Sequence, residues 1–135
     1  MASPKAKAAK SHDSVRRQLK AFGLAYPEAH SKSPWPGHDD LAVRGKTFAY
    51  LNQAGEPLSI SVKLPLTGKM VLTLANAQPT AYGLGKSGWV SVTFDARDKP
   101  DLELLKAWVD ESYRTQAPKK LSAQVPPPKR TTLRY

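Results

Sequence analysis

Cysteine is absent from this chain of 135 residues. That removes disulfide frameworks, thiolate zinc sites and cysteine nucleophiles together, and leaves stability to packing. No window approaches the roughly 18 consecutive apolar residues of a spanning helix. The N-terminus MASPKAKAAKSHDS has no apolar stretch behind its lysines, so a secretory leader does not fit either. The expected setting is the cytoplasm, with an acid-poor organelle transit segment as the other reading. Catalytic signatures are missing as well: no G-x-S-x-G elbow or H-E-x-x-H pair occurs, and the serines have no evident base partner. The chain is therefore not expected to be an enzyme, and no cofactor is implied.

Acidic residues are scarce at both ends. Residues 1–20 carry Lys5, Lys7, Lys10, Arg16, Arg17 and Lys20 against Asp13 alone, and residues 114–135 carry six cations and no acid. Between them, residues 21–113 hold 9 basic and 10 acidic residues, so the ends carry all the excess of the +10 formal charge. Like-charged ends with few bulky apolar residues cannot offset ordering entropy by burial. A disordered basic N-terminal arm at 1–10, a domain at 11–121 and a disordered Pro-rich tail at 122–135 are expected, with PPPKR favouring polyproline II geometry. Cationic arms beside a neutral body suit a polyanion, because lysines and arginines that neutralise phosphates release condensed counterions. Solubility alone is the bland alternative.

From Ser11 the pattern is helical, with Val15, Leu19 and Phe22 on one face, Arg16, Arg17 and Lys20 on a wet one, and Pro27 as a stop. Residues 30–64 read as strands. Arg44-Gly45-Lys46 forms a turn between Leu41–Val43 and Thr47–Leu51, and Leu58, Ile60, Val62 and Leu64 alternate with Ser59, Ser61 and Lys63. Residues 66–77 fit helix and strand equally well. Val90, Val92 and Phe94 alternate with Trp89, Ser91 and Thr93, which places Trp89 on an outward polar face with Lys63. The last helix is signalled by Asp98 as cap, Pro100 in the first turn, and a stripe of Leu102, Leu105 and Val109 flanked by Trp108 and Tyr113; Ala117-Pro118 ends it.

Two motifs invite chemistry and fall short of it. GLGKSG ends like a phosphate-binding loop, but Thr80 stands where its first glycine should and a strand follows, so its glycines read as turn residues beside Lys86. His38-Asp39-Asp40 offers metal-binding atoms, yet in an extended segment only His38 and Asp40 share a face, and two ligands close no site. No metal is expected. The combination of cations and aromatics is the stronger signal: aromatic faces stack on bases, neighbouring lysines attract phosphate, and the Arg44-Gly45-Lys46 tip can act as a wing.

The segments HDDLAVRGKTFAYL, GKSGWVSVTF and LLKAWVDESYRTQAPKKL together resemble the MmcQ/YjbR family, whose fold is α+β and frataxin-like (CyaY-like). The resemblance runs from about Val15 to Leu121 and implies helix over about 66–76. It also implies a DNA-binding role through likeness to double-wing DNA-binding domains, and it supplies no catalytic set. Arg44, Gly45, Lys46, Gly88, Trp89, Trp108, Tyr113 and Lys120 are the positions that carry over. The basic ends and Pro36-Gly37-His38-Asp39-Asp40 depart from the family pattern, and a basic first helix lacks the acidic ridge of a frataxin-type iron site.

The expectation is a two-layer α+β sandwich, an antiparallel sheet covered on one face by the N- and C-terminal helices. It is expected to be a monomer that binds DNA, or RNA, with weak sequence preference and without a membrane role. The expected contacts are Arg16, Arg17, Arg44, Lys46, Lys63, Lys86, Trp89, Lys119 and Lys120. A protein-interaction module using the open sheet face is the alternative.

Overall fold

Strict alternation from Leu58 to Leu64 dictates a strand with one apolar face, and β4 (Ser59–Lys63) buries Ile60 and Val62 on that face. The computed structural model describes residues 4–32 and 39–126, without the side chains of residues 4–11. The Pro36-Gly37-His38 turn and residues 127–135 of the tail lie outside the described residues. The start of the tail, expected to be disordered, is held: Val125 packs against the core and the Pro126 carbonyl accepts from Arg114 Nη2 at 2.6 Å.

The strands are β1 (Ala29–Lys32), β2 (Asp40–Val43), β3 (Lys46–Leu51), β4, β5 (Ala77–Pro79) and β6 (Trp89–Thr93). They form one sheet in the order β1-β2-β3-β4-β6-β5, with every neighbouring pair antiparallel. Helices α1 (Pro4–Leu24) and α3 (Leu102–Gln116) supply the second layer. Leu19, Leu105, Trp108, Val109 and Tyr113 from the helices meet Leu41, Phe48, Ile60 and Val62 from the sheet in one buried cluster. This is the expected α+β arrangement. Trp108 and Tyr113, expected at the flanks of the α3 stripe, are buried within it.

A bulge in β3 positions α3. Leu41 pairs with Ala49 but Ala42 pairs with Thr47, so Phe48 is the extra residue. Its ring meets Tyr113 edge-on at 5.3 Å. The Ser112 hydroxyl donates to the Phe48 carbonyl at 2.5 Å and accepts from the Lys63 amide at 2.9 Å, partnering the backbone that the irregular ladder leaves over.

Several boundaries differ from expectation. α1 starts at Pro4, where Ser11 was expected, because Lys-Ala-Lys-Ala-Ala-Lys consists of strong helix formers that extend an existing helix cheaply. The helix expected over 66–76 shrinks to α2 (Gly68–Val71), since Ala77–Pro79 is recruited as a strand against β6 and the Asn76 carbonyl accepts from Thr93. The cap of α3 is Asp101, whose carboxylate accepts from the Glu103 and Leu104 amides at 3.1 and 3.3 Å. Asp98 instead accepts from the Asp95 amide, and Pro100 precedes the cap. Beyond Pro118 a short α4 (Lys119–Ser122) follows. No helix among the described residues is long and apolar enough to cross a membrane.

Candidate nucleic-acid interface

Antiparallel pairing decides which side chains share an end of the sheet. The turn Arg44-Gly45 joins Val43 to Lys46, and both central residues have positive φ, +49° and +80°. That is the backbone a two-residue hairpin needs, and one that glycine or asparagine adopts far more readily than arginine. The tip is fastened by the Gly45 amide, which donates to His30 Nε2 at 3.2 Å, and by Lys32 Nζ, which donates to the Gly45 carbonyl at 2.8 Å. Because Tyr50 pairs with Ser61 and Ala49 with Val62, Lys63 closes β4 at the same end as this tip. Lys63 pairs with Trp89, so β6 begins there too, and the loop of residues 80–88 bearing Lys86 caps that end. The C-terminus of α3 and α4, with Lys119 and Lys120, arrive beside the hairpin. There Val43, Arg44, Lys46 and the segment 115–118 line a groove of about 450 Å³.

Seven of the nine expected contact residues thus gather at one end of the sheet, called here the hairpin end. Arg44, Lys46, Lys86, Lys119 and Lys120 are exposed and Lys63 is half-buried. Trp89 needs correction. It points to the outer face as its alternation requires, but it is 5% exposed and packs on Tyr50 at 5.2 Å, so it offers no free ring face for stacking.

Arg16 and Arg17 lie at the other end. Arg17 is exposed, as expected. Arg16 is not on a wet face: it is 6% exposed, ion-paired with Asp13, and donates to Asn52 Oδ1 at 3.0 Å and to the Glu56 carbonyl at 2.8 Å. Burial lowers its pKa while Asp13 opposes that shift. Arg16 clamps the β3–β4 loop, and a guanidinium so enclosed has no surface for phosphate. The open outer sheet face is also less available than expected. Ser61 and Ser91 bond each other at 2.7 Å, and Ser91 and Thr80 at 2.9 Å, which spends those hydroxyls internally.

Of the polar triplet, Asp39 is ion-paired with Lys20 and accepts from the Ser31 hydroxyl at 3.0 Å, while buried Asp40 accepts from the Leu51 amide at 2.9 Å. Both carboxylates do structural work at the start of β2; His38 lies outside the described residues.

One candidate contact residue escaped the sequence reading. Tyr82 is fully exposed and has φ +61°, in the loop beside Lys86. Its signal was a bulky aromatic beside glycine inside a loop that the sequence does not assign to a strand or a helix. Charge differs between the two ends. The far end carries Asp13, Glu56, Asp95, Asp98, Asp101 and Glu103 interleaved with exposed Arg17, Arg97 and Lys99, whereas the hairpin end carries the cations named above, with Glu111 there spent on the Leu66 and Thr67 amides at 3.0 and 3.2 Å. Glu28 is the exposed carboxylate beside the tip. Its pKa is lowered, first by the hydrogen bond from Arg44 and further by the charges of Arg44 and Lys120.

A family model described as YjbR matches residues 24–115. No curated protein matches the chain. Among solved structures, the chain is similar to protein DR2400 of Deinococcus radiodurans, described with a DUF419 domain. That match has 21% identity and a TM-score of 0.64, over 81% of this chain and 86% of that one. A Pseudomonas syringae protein is similar with 16% identity and a TM-score of 0.57, over 76% of this chain and 98% of that one. At these identities the two structures speak for the fold alone.

Proposed function

The chain belongs to the YjbR family, and on that premise we propose that it binds DNA through the hairpin end, with weak sequence preference and contacts made chiefly to phosphate. The observation that carries this reading is the gathering of exposed cations at the hairpin end. Arg44, Lys46, Lys86, Lys119 and Lys120 crowd one end of the sheet, where Glu28 is the exposed carboxylate beside the tip, whereas cations and acids are mixed at the other end, so the hairpin end is the face that suits a polyanion. Six strands at about 4.8 Å spacing make that face about 24 Å wide, enough to follow several phosphates along a groove edge. The groove beside the tip, between Lys46 and Pro118, gives the backbone a seat.

Basic ends enter as a separate contribution. α1 runs toward the hairpin end at its C-terminus, so its first turns, which carry Lys5, Lys7 and Lys10, lie at the far end. The arm and the hairpin therefore address different stretches of a long polyanion.

A salt titration of duplex binding tests the proposal. Five exposed cations meeting phosphates give a log–log slope of about −4.5. A flat response overturns it, and an unchanged slope after deletion of residues 1–10 and 127–135 assigns the binding to the remaining folded body. A protein partner recovered after nuclease treatment by a chain that ignores DNA would favour an interaction module instead.

Tyr82→Ala is expected to weaken single-stranded DNA binding about tenfold, since one base stack contributes about 1–3 kcal/mol. Circular dichroism should not change, because the side chain is fully exposed.

A further inference from the structure

Among the described residues, the non-glycine positions with positive φ are Glu28 at +56°, Arg44 at +49° and Tyr82 at +61°. All three sit at the hairpin end. Left-handed backbone disfavours an L residue by about 1–2 kcal/mol, and such positions cluster where function over-determines the structure. Glu28 and Arg44 are bonded to each other. Arg44 Nε–H donates to Glu28 Oε1 at 3.2 Å, and Nη2–H donates to Oε2 at 3.0 Å. This parallel fork is the geometry a guanidinium uses to hold a phosphate.

Stability does not account for the arrangement. The two side chains are 52% and 49% exposed, and a surface pair of that kind contributes about 0–1 kcal/mol, no more than the strain at either backbone. Asparagine at 44 would suit the turn better and a glycine at 28 would relax the entry to β1, so both positions keep a strained charged residue for a pair of little net worth.

We propose that Glu28 is an internal stand-in for phosphate: its carboxylate occupies the Arg44 fork in the free chain and is displaced by a phosphate of the bound nucleic acid. The inference rests on the DNA-binding reading above and adds its regulation. Lys120 lies within the field of Glu28 and receives the carboxylate when Arg44 turns to the ligand. Weak or monovalent anions fail to exchange, because they must replace a bidentate partner already in place. A phosphate set among the neighbouring Lys46 and Lys119 contacts succeeds.

The test uses duplex DNA and the full chain carrying Glu28→Gln, Arg44→Asn, or both, with affinity read by fluorescence anisotropy at fixed salt. Asparagine is chosen because it tolerates the left-handed turn. Glu28→Gln should tighten binding about threefold to fivefold, Arg44→Asn should weaken it, and the double variant should match Arg44→Asn. An equal gain from Glu28→Gln in the Arg44→Asn background would reduce the effect to general charge and overturn the exchange, as would no gain at all. A second readout is the Arg44 Nε–H NMR signal, followed during titration with DNA and with pyrophosphate. If DNA binds and the signal stays still, the exchange is wrong while the DNA reading stands. If DNA is ignored but pyrophosphate moves the signal, at lower concentration in Glu28→Gln, the exchange stands and the DNA reading falls. A signal unmoved by either ligand in a chain that ignores DNA overturns both.

Discussion

Glutamine at Arg44, Lys46, Lys119 and Lys120 together is expected to reduce duplex-DNA affinity about four-thousandfold near 0.1 M salt and to flatten the salt slope by about 3 to 4. Each phosphate contact releases about 0.9 of a counterion, so each is worth roughly eightfold at a tenth molar, and four of them compound. The four side chains are exposed, and the ion pair lost with Arg44 is a surface one, so unfolding stability should move by no more than about 1 kcal/mol. Arg17→Gln is the matched control. It removes an exposed cation from the far end and should leave affinity within about twofold. Arg16 cannot serve as a control, because its guanidinium holds Asp13, Asn52 and Glu56. If the fourfold variant binds like the parent while deletion of residues 1–10 abolishes binding, the hairpin end is not the interface.

The sheet and its hairpin were legible because their information is local. The alternation from Leu58 to Leu64 fixes a face, and Arg44-Gly45 between two apolar runs fixes a turn. What escaped is set by residues far apart in sequence. Arg16 occupies a helix position whose periodicity says wet, but Asn52 and Glu56 close over it from a loop some forty residues away. Trp89 has the outward parity that its strand assigns, and Tyr50 from another strand covers it. β5 is three residues long and ends in proline, too short to show a period and outside ordinary strand preferences. The charge balance misled for a related reason. Counting residues 21–113 as nearly neutral averages over two unlike ends: Arg44, Lys46, Lys63 and Lys86 come together at the hairpin end, while most of the acids lie at the other end with Arg97 and Lys99 among them.

The contrast between the two ends also explains why the strained residues are affordable. The far end holds the fold together, through buried polar bonds that tie α1 to the sheet and to the approach to α3. The hairpin end is braced from behind by Ser112 on Phe48 and Lys63, Gln116 on the Thr47 carbonyl at 3.0 Å, and Tyr113 on the Pro27 carbonyl at 2.8 Å. Substitutions at the exposed tip should therefore move binding and leave stability nearly alone, and those at the far end should do the reverse.

His12→Ala is the sharpest case of the second kind, with an expected loss of about 3–4 kcal/mol in urea unfolding at unchanged m-value. The imidazole is fully buried. Its Nδ1 accepts the Leu58 amide at 2.8 Å and its Nε2 faces the Asp98 carbonyl at 2.8 Å, which assigns the proton to Nε2. The ring also meets Phe94 edge-on at 6.5 Å. Alanine removes the ring, leaves a cavity, and strands a backbone donor and a backbone acceptor that no water-free neighbour replaces. Three segments distant in sequence then lose their common fastening: α1, the entrance to β4 and the approach to α3. Binding should be spared. The variant, held folded at low temperature, should bind DNA within about twofold of the parent, because His12 lies at the end of the sheet away from Arg44. A loss below about 1 kcal/mol would show that the histidine is not what joins the layers there, and a large loss of DNA affinity in the folded variant would move the interface toward the far end.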